Sequence, residues 1–253
     1  MLSAGIDIGS INTKVVVLDR ESGELAAQLV RPTGHKPRET GPAAFSQCLK
    51  DAGITKADLG QAVSTGYARH TFESADSSIT EIRAAALGVR HWHPECRSVI
   101  DIGGQDSKVL VLDQDGRVRD FAMNDRCAAG TGNFLAVLAE KLEVPIDRFG
   151  PLATRSRKPV AISSLCVVMA ESEILSLVAA ETPIEDIVAG LHFALARRIA
   201  NMAAALDVGD EVVFTGGVAQ NAGMKQALES AFGLQLTVAR MPLFAAALGA
   251  ALS

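Results

Sequence analysis

Two copies of one short motif carry aspartate, glycine and lysine in the same order. Residues 7–19 align with residues 101–113, and eight of these thirteen positions are identical. Each copy is typical of a β-hairpin whose glycine-containing tip lets backbone N–H groups approach an anion. Two such tips facing each other would clamp a phosphate chain. The sequence therefore predicts a duplicated phosphate-binding unit.

The polar residues of the two tips suggest separate roles. Asp7 and Asp101 end their strands beside the tips, where a carboxylate can orient a hydrated Mg2+ and assist catalysis. Gln105 or Asp106 is expected to position the attacking water. Lys108 has an alternative reading as a solvent-exposed strand residue. The remaining predicted cofactor-binding residues of the tips are Gly9, Ser10, Asn12, Thr13, Lys14, Gly103, Gly104 and Lys108.

The segments between the motifs predict the same order of elements in each half. Apolar residues at three- and four-residue spacing predict helices at 43–52, 79–90, 134–142, 167–180 and 187–206. Alternating or continuous apolar runs predict further strands at 24–30, 61–65, 117–123 and 211–214. We place the first lobe at 1–95, with a C-terminal helix at 243–253 packing back against it, and the second lobe at 96–242.

This arrangement resembles the actin, Hsp70 and sugar-kinase fold, a two-lobed α/β ATPase with a duplicated ribonuclease H-like core. In that fold the two hairpins hold the phosphates and a Gly-Gly turn before a helix receives the adenosine. The resemblance assigns this turn to Gly216, Gly217, Val218, Gln220 and Asn221. The chain has no Walker G-x-x-x-x-G-K-[ST] motif, and Leu135 replaces the last glycine of a dinucleotide-binding fingerprint.

Two cysteines are predicted at the starts of helices. Cys127 follows a predicted strand, and Cys166 follows Ser163 and Ser164, either of which would cap the helix that runs to residue 180. The positive end of a helix dipole favours thiolate and prepares the sulfur for a metal. A [4Fe–4S] cluster needs four thiolates, which two copies related by a two-fold axis would supply. The alternative is two buried structural thiols.

The other metal-binding residue types carry weaker signals. The spacing of His91, His93 and Cys96 is compatible with zinc, but Pro94 and the nearby lobe boundary favour a surface connector. Cys48 is expected to be a packed thiol. Glu171 and Glu173 lie far along their helix and are expected to face solvent. On the next helix, His192, Arg197 and Arg198 are expected to be solvent-exposed or to line a groove.

Composition excludes several classes of partner. A net charge of −5 and a pI near 5.6 offer no basic surface for nucleic acid or an anionic membrane. The apolar stretch at 243–252 is too short to cross a bilayer, and the N-terminus lacks a secretory pattern. We therefore expect a cytoplasmic protein, in which disulfides are uncommon.

Four segments together are similar to the signatures of one family. They are 101–106, 124–132, 163–173 with its SSLC and AESE sequences, and 215–219. The sequence resembles the activator ATPases of 2-hydroxyacyl-CoA dehydratases, a family that also includes ATPase subunits of benzoyl-CoA reductase. Departures from the usual family residues occur at Arg126, Asn133, Leu165 and 244–245.

The resemblance implies a homodimer in which Cys127 and Cys166 of both subunits hold one [4Fe–4S] cluster. It also implies ATP and ADP binding with Mg2+, and ATP-driven transfer of one low-potential electron to a dehydratase or reductase partner. The electron donor would be a ferredoxin or flavodoxin. The alternatives are a small-molecule kinase of the same fold, which would give the two cysteines no purpose, and a nucleotide switch without redox chemistry.

Overall fold

The computed structural model describes residues 1–164 and 166–253, so Leu165 lies outside the described residues. These residues form two compact units. The first contains Met1–Val99, Leu112–Arg119 and Ala239–Ser253, and the second contains Ile100–Val111 and Asp120–Val238. The described elements include two five-stranded sheets, with strand orders β3-β2-β1-β4-β5 and β10-β9-β6-β7-β8.

The ten strands and eight α-helices of the described residues have the following bounds. The strands are β1 (Leu2–Ile8), β2 (Asn12–Asp19), β3 (Leu25–Pro32), β4 (Leu59–Thr65), β5 (Ser77–Ser78), β6 (Ser98–Ile102), β7 (Ser107–Leu112), β8 (Val118–Asn124), β9 (Val212–Thr215) and β10 (Leu236–Val238). The helices are α1 (Pro37–Asp51), α2 (Glu81–Trp92), α3 (Gly132–Lys141), α4 (Ile146–Ala153), α5 (Val167–Ala179), α6 (Ile184–Met202), α7 (Ala222–Phe232) and α8 (Ala245–Leu252).

The first unit has apolar side chains on both faces of its sheet. Strands β1, β2 and β3 pair antiparallel, whereas β4 pairs parallel with β1. Because side chains alternate along β2, Val15 and Val17 face the cluster that contains Phe45 of α1, while Val16 and Leu18 pack with α8. This two-sided burial explains why β2 is a continuous apolar run and not an alternating one.

Glycines allow α8 to lie close to its neighbours in the first unit. A Cβ atom at Gly5 of β1 would collide with the backbone of α8, and one at Gly88 of α2 or Gly249 of α8 would collide with the facing helix. The C-terminal helix therefore packs backbone to backbone with α2, in addition to contributing Leu248 to the core.

The second unit buries its sheet under helices α3 to α7. Ile100 and Val109 of the sheet share one core with Phe134 of α3 and with Leu191 and Leu195 of α6. No helix of the described residues is both long enough and apolar enough to span a bilayer.

The helices and strands predicted from apolar spacing are all present. Helix α1 begins six residues earlier than predicted, and the other ends differ by four residues or fewer. Helix α4, which contains Gly150 and Pro151, and the short strands β5 and β10 were not predicted from the sequence. Glycine and proline usually interrupt helices, so the apolar spacing of α4 was too short to outweigh them.

Candidate functional site

An ion pair braces the first hairpin tip. Strand register places Asp7 opposite Lys14, and Lys14 Nζ lies 2.9 Å from the Asp7 carboxylate. Only 9% of the Asp7 side chain and 15% of the Lys14 side chain are exposed. The Gly9 N–H donates to the Asn12 carbonyl at 3.2 Å and closes the turn around Ser10. The tip therefore presents a carboxylate and an ammonium group side by side.

Two threonine hydroxyls hold this tip from inside the unit. The Thr13 hydroxyl is fully buried and lies 2.9 Å from the Thr33 hydroxyl, which donates to the Gly9 carbonyl at 2.7 Å. The side chain of Thr13, a predicted phosphate contact, is thus engaged within the first unit.

The second hairpin tip repeats the pair of charges. Lys108 Nζ lies 3.6 Å from the Asp101 carboxylate and also forms an ion pair with Asp106. The Gly103 N–H donates to the Asp106 carbonyl at 2.9 Å, as Gly9 does to Asn12 in the first tip. Because only 3% of the Lys108 side chain is exposed, its alternative reading as a solvent-exposed residue is wrong. Gln105 is exposed at the tip.

Each candidate magnesium ligand lies against a glycine turn. Gly66 and Gly216 follow β4 and β9 with φ angles of +96° and +88°, a region that favours glycine. A Cβ atom at Gly66 would collide with Asp7 and Ile8, and one at Gly216 would collide with Asp101 and Ile102. The Thr-Gly pair at residues 65–66 recurs at residues 215–216, but Gly66 is not among the predicted site residues.

The predicted adenosine turn combines exposed glycine with a capped helix. Gly217 and Gln220 are exposed in a short 3-10 turn at Gly217–Gln220, and Val218 is half-buried. Asn221 caps α7, because its Oδ1 accepts the Met224 N–H at 3.0 Å. The Asn221 side chain is therefore engaged in capping the helix that directly follows this turn.

A buried histidine supports the same cap. His192 Nε2 lies 3.2 Å from Asn221 Oδ1, and His192 Nδ1 lies 2.7 Å from the Val188 carbonyl. Only 1% of His192 is exposed, so of its two predicted positions the solvent-exposed one is wrong. Burial lowers the pKa of His192, although the hydrogen bonds to Val188 and Asn221 oppose this effect.

Cys127 lies in a loop that is tied to the second tip. It is half-buried and immediately precedes the 3-10 turn Ala128–Gly130, and the Asn124 side-chain amide donates to its carbonyl at 2.8 Å. At the start of α3, the N–H groups of Gly132 and Asn133 donate to the carbonyls of Gly103 and Gly104, each at 2.9 Å. The backbone thus connects the Cys127 loop to the predicted phosphate-binding tip.

Cys166 is exposed at the N-cap position of α5. Ser163 and Ser164 do not cap this helix, so that prediction is wrong. Instead, the Ser163 N–H and hydroxyl donate to Glu173 Oε1 at 2.9 and 3.1 Å, and the Ser164 N–H donates to Glu173 Oε2 at 2.9 Å. Glu173 is half-buried, and its carboxylate accepts these hydrogen bonds in addition to facing solvent as predicted.

The two glutamates of α5 have different partners. Burial alone would raise the pKa of Glu173, but the hydrogen bonds from Ser163 and Ser164 outweigh it, and the pKa lies below its ordinary value. Glu171 instead pairs with Lys141 of α3 at 2.7 Å. The role of Glu173 was not predicted, because its partners lie nine and ten residues earlier in the chain.

The remaining metal-binding residue types have separate protein partners. Cys48 is a packed thiol, as predicted, and burial raises its pKa to about 11. Cys96 is buried and donates to the Ser98 carbonyl at 3.1 Å, His91 lies 2.7 Å from the Gly23 carbonyl, and His93 accepts the Arg240 N–H at 3.2 Å. Among the described residues, no group of three or more His, Cys, Asp or Glu could hold a metal ion.

The donor set fits half of an iron–sulfur site. Cys127 and Cys166 are unpaired by disulfides and at least partly accessible, in contrast to the two buried cysteines. A cubane cluster requires four thiolates, so two accessible cysteines match half of such a donor set.

Comparison with known proteins gives full-length matches. The model of the "BadF/BadG/BcrA/BcrD ATPase family" matches residues 4–253. The chain is 41% identical to the 2-hydroxyisocaproyl-CoA dehydratase activator of Clostridioides difficile, over 100% of this chain and 94% of that protein. It is 40% identical to the (R)-2-hydroxyglutaryl-CoA dehydratase activating ATPase of Acidaminococcus fermentans, over 98% and 95%.

Solved structures also match over the full length of the chain. The activator of the 2-hydroxyisocaproyl-CoA dehydratase from Clostridium difficile with bound ADPNP matches with a TM-score of 0.93 and 40% identity, over 100% of this chain and 93% of that one. A ROK family glucokinase from Streptomyces griseus, at a TM-score of 0.61 and 13% identity, shares the fold alone. The predicted actin and sugar-kinase type of fold is confirmed.

Proposed function

The chain belongs to the BadF/BadG/BcrA/BcrD ATPase family, and from this premise we propose that it is an ATP-dependent activator of a 2-hydroxyacyl-CoA dehydratase. In this role it would transfer a low-potential electron from a [4Fe–4S] cluster to the dehydratase. The observation that carries the proposal is the position of Cys127 and Cys166. They are the accessible cysteines, whereas Cys48 and Cys96 are buried.

The two accessible cysteines are suited to hold a shared cluster. Cys166 stands at the N-terminal end of α5, a helix of 13 residues, where the helix dipole stabilises a thiolate and an anionic cluster. Two chains related by a two-fold axis would supply the four thiolates. When bound, the cluster would supply one electron at a low potential.

The hairpin tips supply the proposed nucleotide chemistry. Asp7 and Asp101 are assigned to hydrated Mg2+, and the glycine tips with Lys14 and Lys108 are assigned to phosphate. Gln105 is the better candidate for positioning the attacking water, because it is exposed whereas Asp106 is held by Lys108.

A short backbone path supports coupling between nucleotide and cysteine within the second unit. The hydrogen bonds from Gly132 and Asn133 attach the start of α3 to Gly103 and Gly104. A change in the tip on ATP hydrolysis would therefore shift the start of α3 and the Cys127 loop that precedes it. Such a shift requires nucleotide contacts that differ between the two states.

The test is ATP-dependent electron transfer under anaerobic conditions. The reconstituted protein, reduced by a ferredoxin or flavodoxin, should activate a 2-hydroxyacyl-CoA dehydratase only when Mg2+ and ATP are present. Cys166→Ala should abolish this transfer and retain ADP binding, and the buried control Cys48→Ala should retain both. Full transfer by Cys166→Ala would refute the proposal, and phosphorylation of a small molecule without any electron transfer would favour a kinase.

A further inference from the structure

A carboxylate on α5 anchors the segment that leads into the same helix. Both oxygens of Glu173 are occupied, Oε1 by the N–H and hydroxyl of Ser163 and Oε2 by the N–H of Ser164. Hydrogen bonds to an ionised carboxylate are roughly twice as strong as neutral ones. We propose that Glu173 is a positioning residue for Cys166, an inference that rests on the proposed function of Cys166 as a cluster ligand.

Packing alone gives the described residues of this segment little restraint. Ser163 and Cys166 are exposed and Ser164 is only half-buried. Upstream, the buried Ile162 is fixed by its carbonyl, which accepts from Arg197 Nη2 at 3.0 Å. Downstream, the Cys166 carbonyl accepts the Ala170 N–H at 2.9 Å as α5 begins. Between these two points, Glu173 anchors the backbone of Ser163 and Ser164, shortly before Cys166 in the chain.

Substitution of Glu173 by glutamine tests its role as a hydrogen-bond acceptor without changing the size of the side chain. A glutamine has only one carbonyl oxygen, so in Glu173→Gln the side-chain NH2 group would face one of the two backbone N–H groups. Because both of these groups are donors, that hydrogen bond would be lost. The variant keeps the size of the side chain. A loss of segment order in this variant would therefore come from lost acceptor capacity and not from a cavity.

Glu171 provides a matched control on the same helix. Glu171→Gln removes the same charge two residues earlier, where the carboxylate pairs with Lys141 and not with the segment before Cys166. A general effect of charge on α5 would appear in both variants, whereas a positioning effect would appear only in Glu173→Gln.

The first measurement needs no iron. Amide hydrogen exchange in the full-length apo-protein should be about tenfold faster in Glu173→Gln than in the parent chain at the one of Ser163 and Ser164 whose N–H faces the new NH2 group, since an unsatisfied donor costs about as much as a tenfold change in an equilibrium. The amides of α6 should keep their exchange rates in both variants. Equal exchange at Ser163 and Ser164 in the Glu173 and Glu171 variants would overturn the inference.

The second measurement uses the reconstituted protein and an iron chelator. Glu173→Gln should release iron about tenfold faster than Glu171→Gln. If exchange rises but iron release does not, Glu173 orders the segment without positioning the ligand, and the inference fails. If the parent chain binds no iron, the proposed function fails, while hydrogen exchange still decides whether Glu173 anchors the segment.

A milder variant covers the case in which Glu173→Gln does not fold. Ser163→Ala removes only the hydroxyl donor to Oε1 and leaves both backbone bonds. It should speed exchange at Ser164 and iron release by a few-fold, in the range expected for one net hydrogen bond. Parent-like values for both quantities would overturn the inference.

Discussion

The ion pair between Asp7 and Lys14 should stabilise the first unit well beyond the contribution of a surface pair. The nitrogen and oxygen are 2.9 Å apart, and the side chains are 15% and 9% exposed. Breaking a buried pair by removing one partner costs about 3–5 kcal/mol, whereas an exposed pair contributes about 0.2–1 kcal/mol. Because this pair is nearly but not fully buried, Asp7→Asn should lower the free energy of unfolding by about 2–4 kcal/mol.

A double-mutant cycle separates the pair from its surroundings. Lys14→Met removes the ammonium and should be destabilising by a similar amount, because it leaves the Asp7 carboxylate without this partner. In Asp7→Asn with Lys14→Met, neither charge remains, so the total loss should be smaller than the sum of the single losses by about 2 kcal/mol.

The assay is urea unfolding of the iron-free protein followed by tryptophan fluorescence. Trp92 is the single tryptophan of the chain and lies in the first unit, so its emission reports the unit that contains the pair. The control is Lys36→Met, which removes an ion pair with Glu39 at 3.0 Å whose side chains are 57% and 70% exposed. It should cost less than about 1 kcal/mol. A loss for Asp7→Asn equal to that of the control, or strictly additive single losses, would refute the reasoning.

Three further predictions follow from burial and backbone geometry. Iodoacetamide at pH 8 should modify the two accessible cysteines of the folded iron-free protein and spare Cys48, whose pKa is raised to about 11 by burial; peptide mass spectrometry that finds Cys48 modified as fast as Cys166 would contradict this. Gly216→Ala should lower the free energy of unfolding of the second unit by about 1–3 kcal/mol, because φ and ψ of +88° and 174° are a combination that only glycine adopts readily. Urea unfolding followed by circular dichroism measures this loss. Gly233→Ala, with a φ of +69° and no atom near the added Cβ, should cost less, and equal losses would exclude a special role for the Gly216 turn. Burial lowers the pKa of His192 in the folded chain. As the pH falls below about 6.5, His192 is therefore protonated in the unfolded chain before it is protonated in the folded chain. The free energy of unfolding should decrease from this pH down to the folded pKa. His192→Gln should lose less stability than the parent chain between pH 7.5 and 5.5 in urea unfolding, and an unchanged pH dependence would show that His192 is not responsible.

The duplicated tips and most of the helices could be predicted from sequence because they depend on local patterns. Asp7 and Lys14 fall opposite each other as soon as the hairpin between β1 and β2 is recognised, and the register confirms that pairing. The repeated Thr-Gly after β4 and β9 likewise marks two backbone positions with the same positive φ.

Contacts between distant residues could not be read from the same patterns. The charge of Lys108 suggested solvent, but Asp101 and Asp106 satisfy it inside the unit. Ser163 and Ser164 have the residue type of a helix cap, yet the Glu173 carboxylate from the next turns of α5 takes their donors. In each case tertiary hydrogen bonding outweighs a local preference, which sequence spacing alone does not reveal.

We propose that two chains share one cluster through Cys127 and Cys166. It is tested most directly by native mass measurement with iron and sulfide analysis of the protein purified without oxygen. We expect a dimer that carries a single [4Fe–4S] cluster, and a Cys166→Ala variant that lacks it. An iron-free monomer after anaerobic reconstitution, or a Cys166→Ala variant with its full iron content, would contradict the claim.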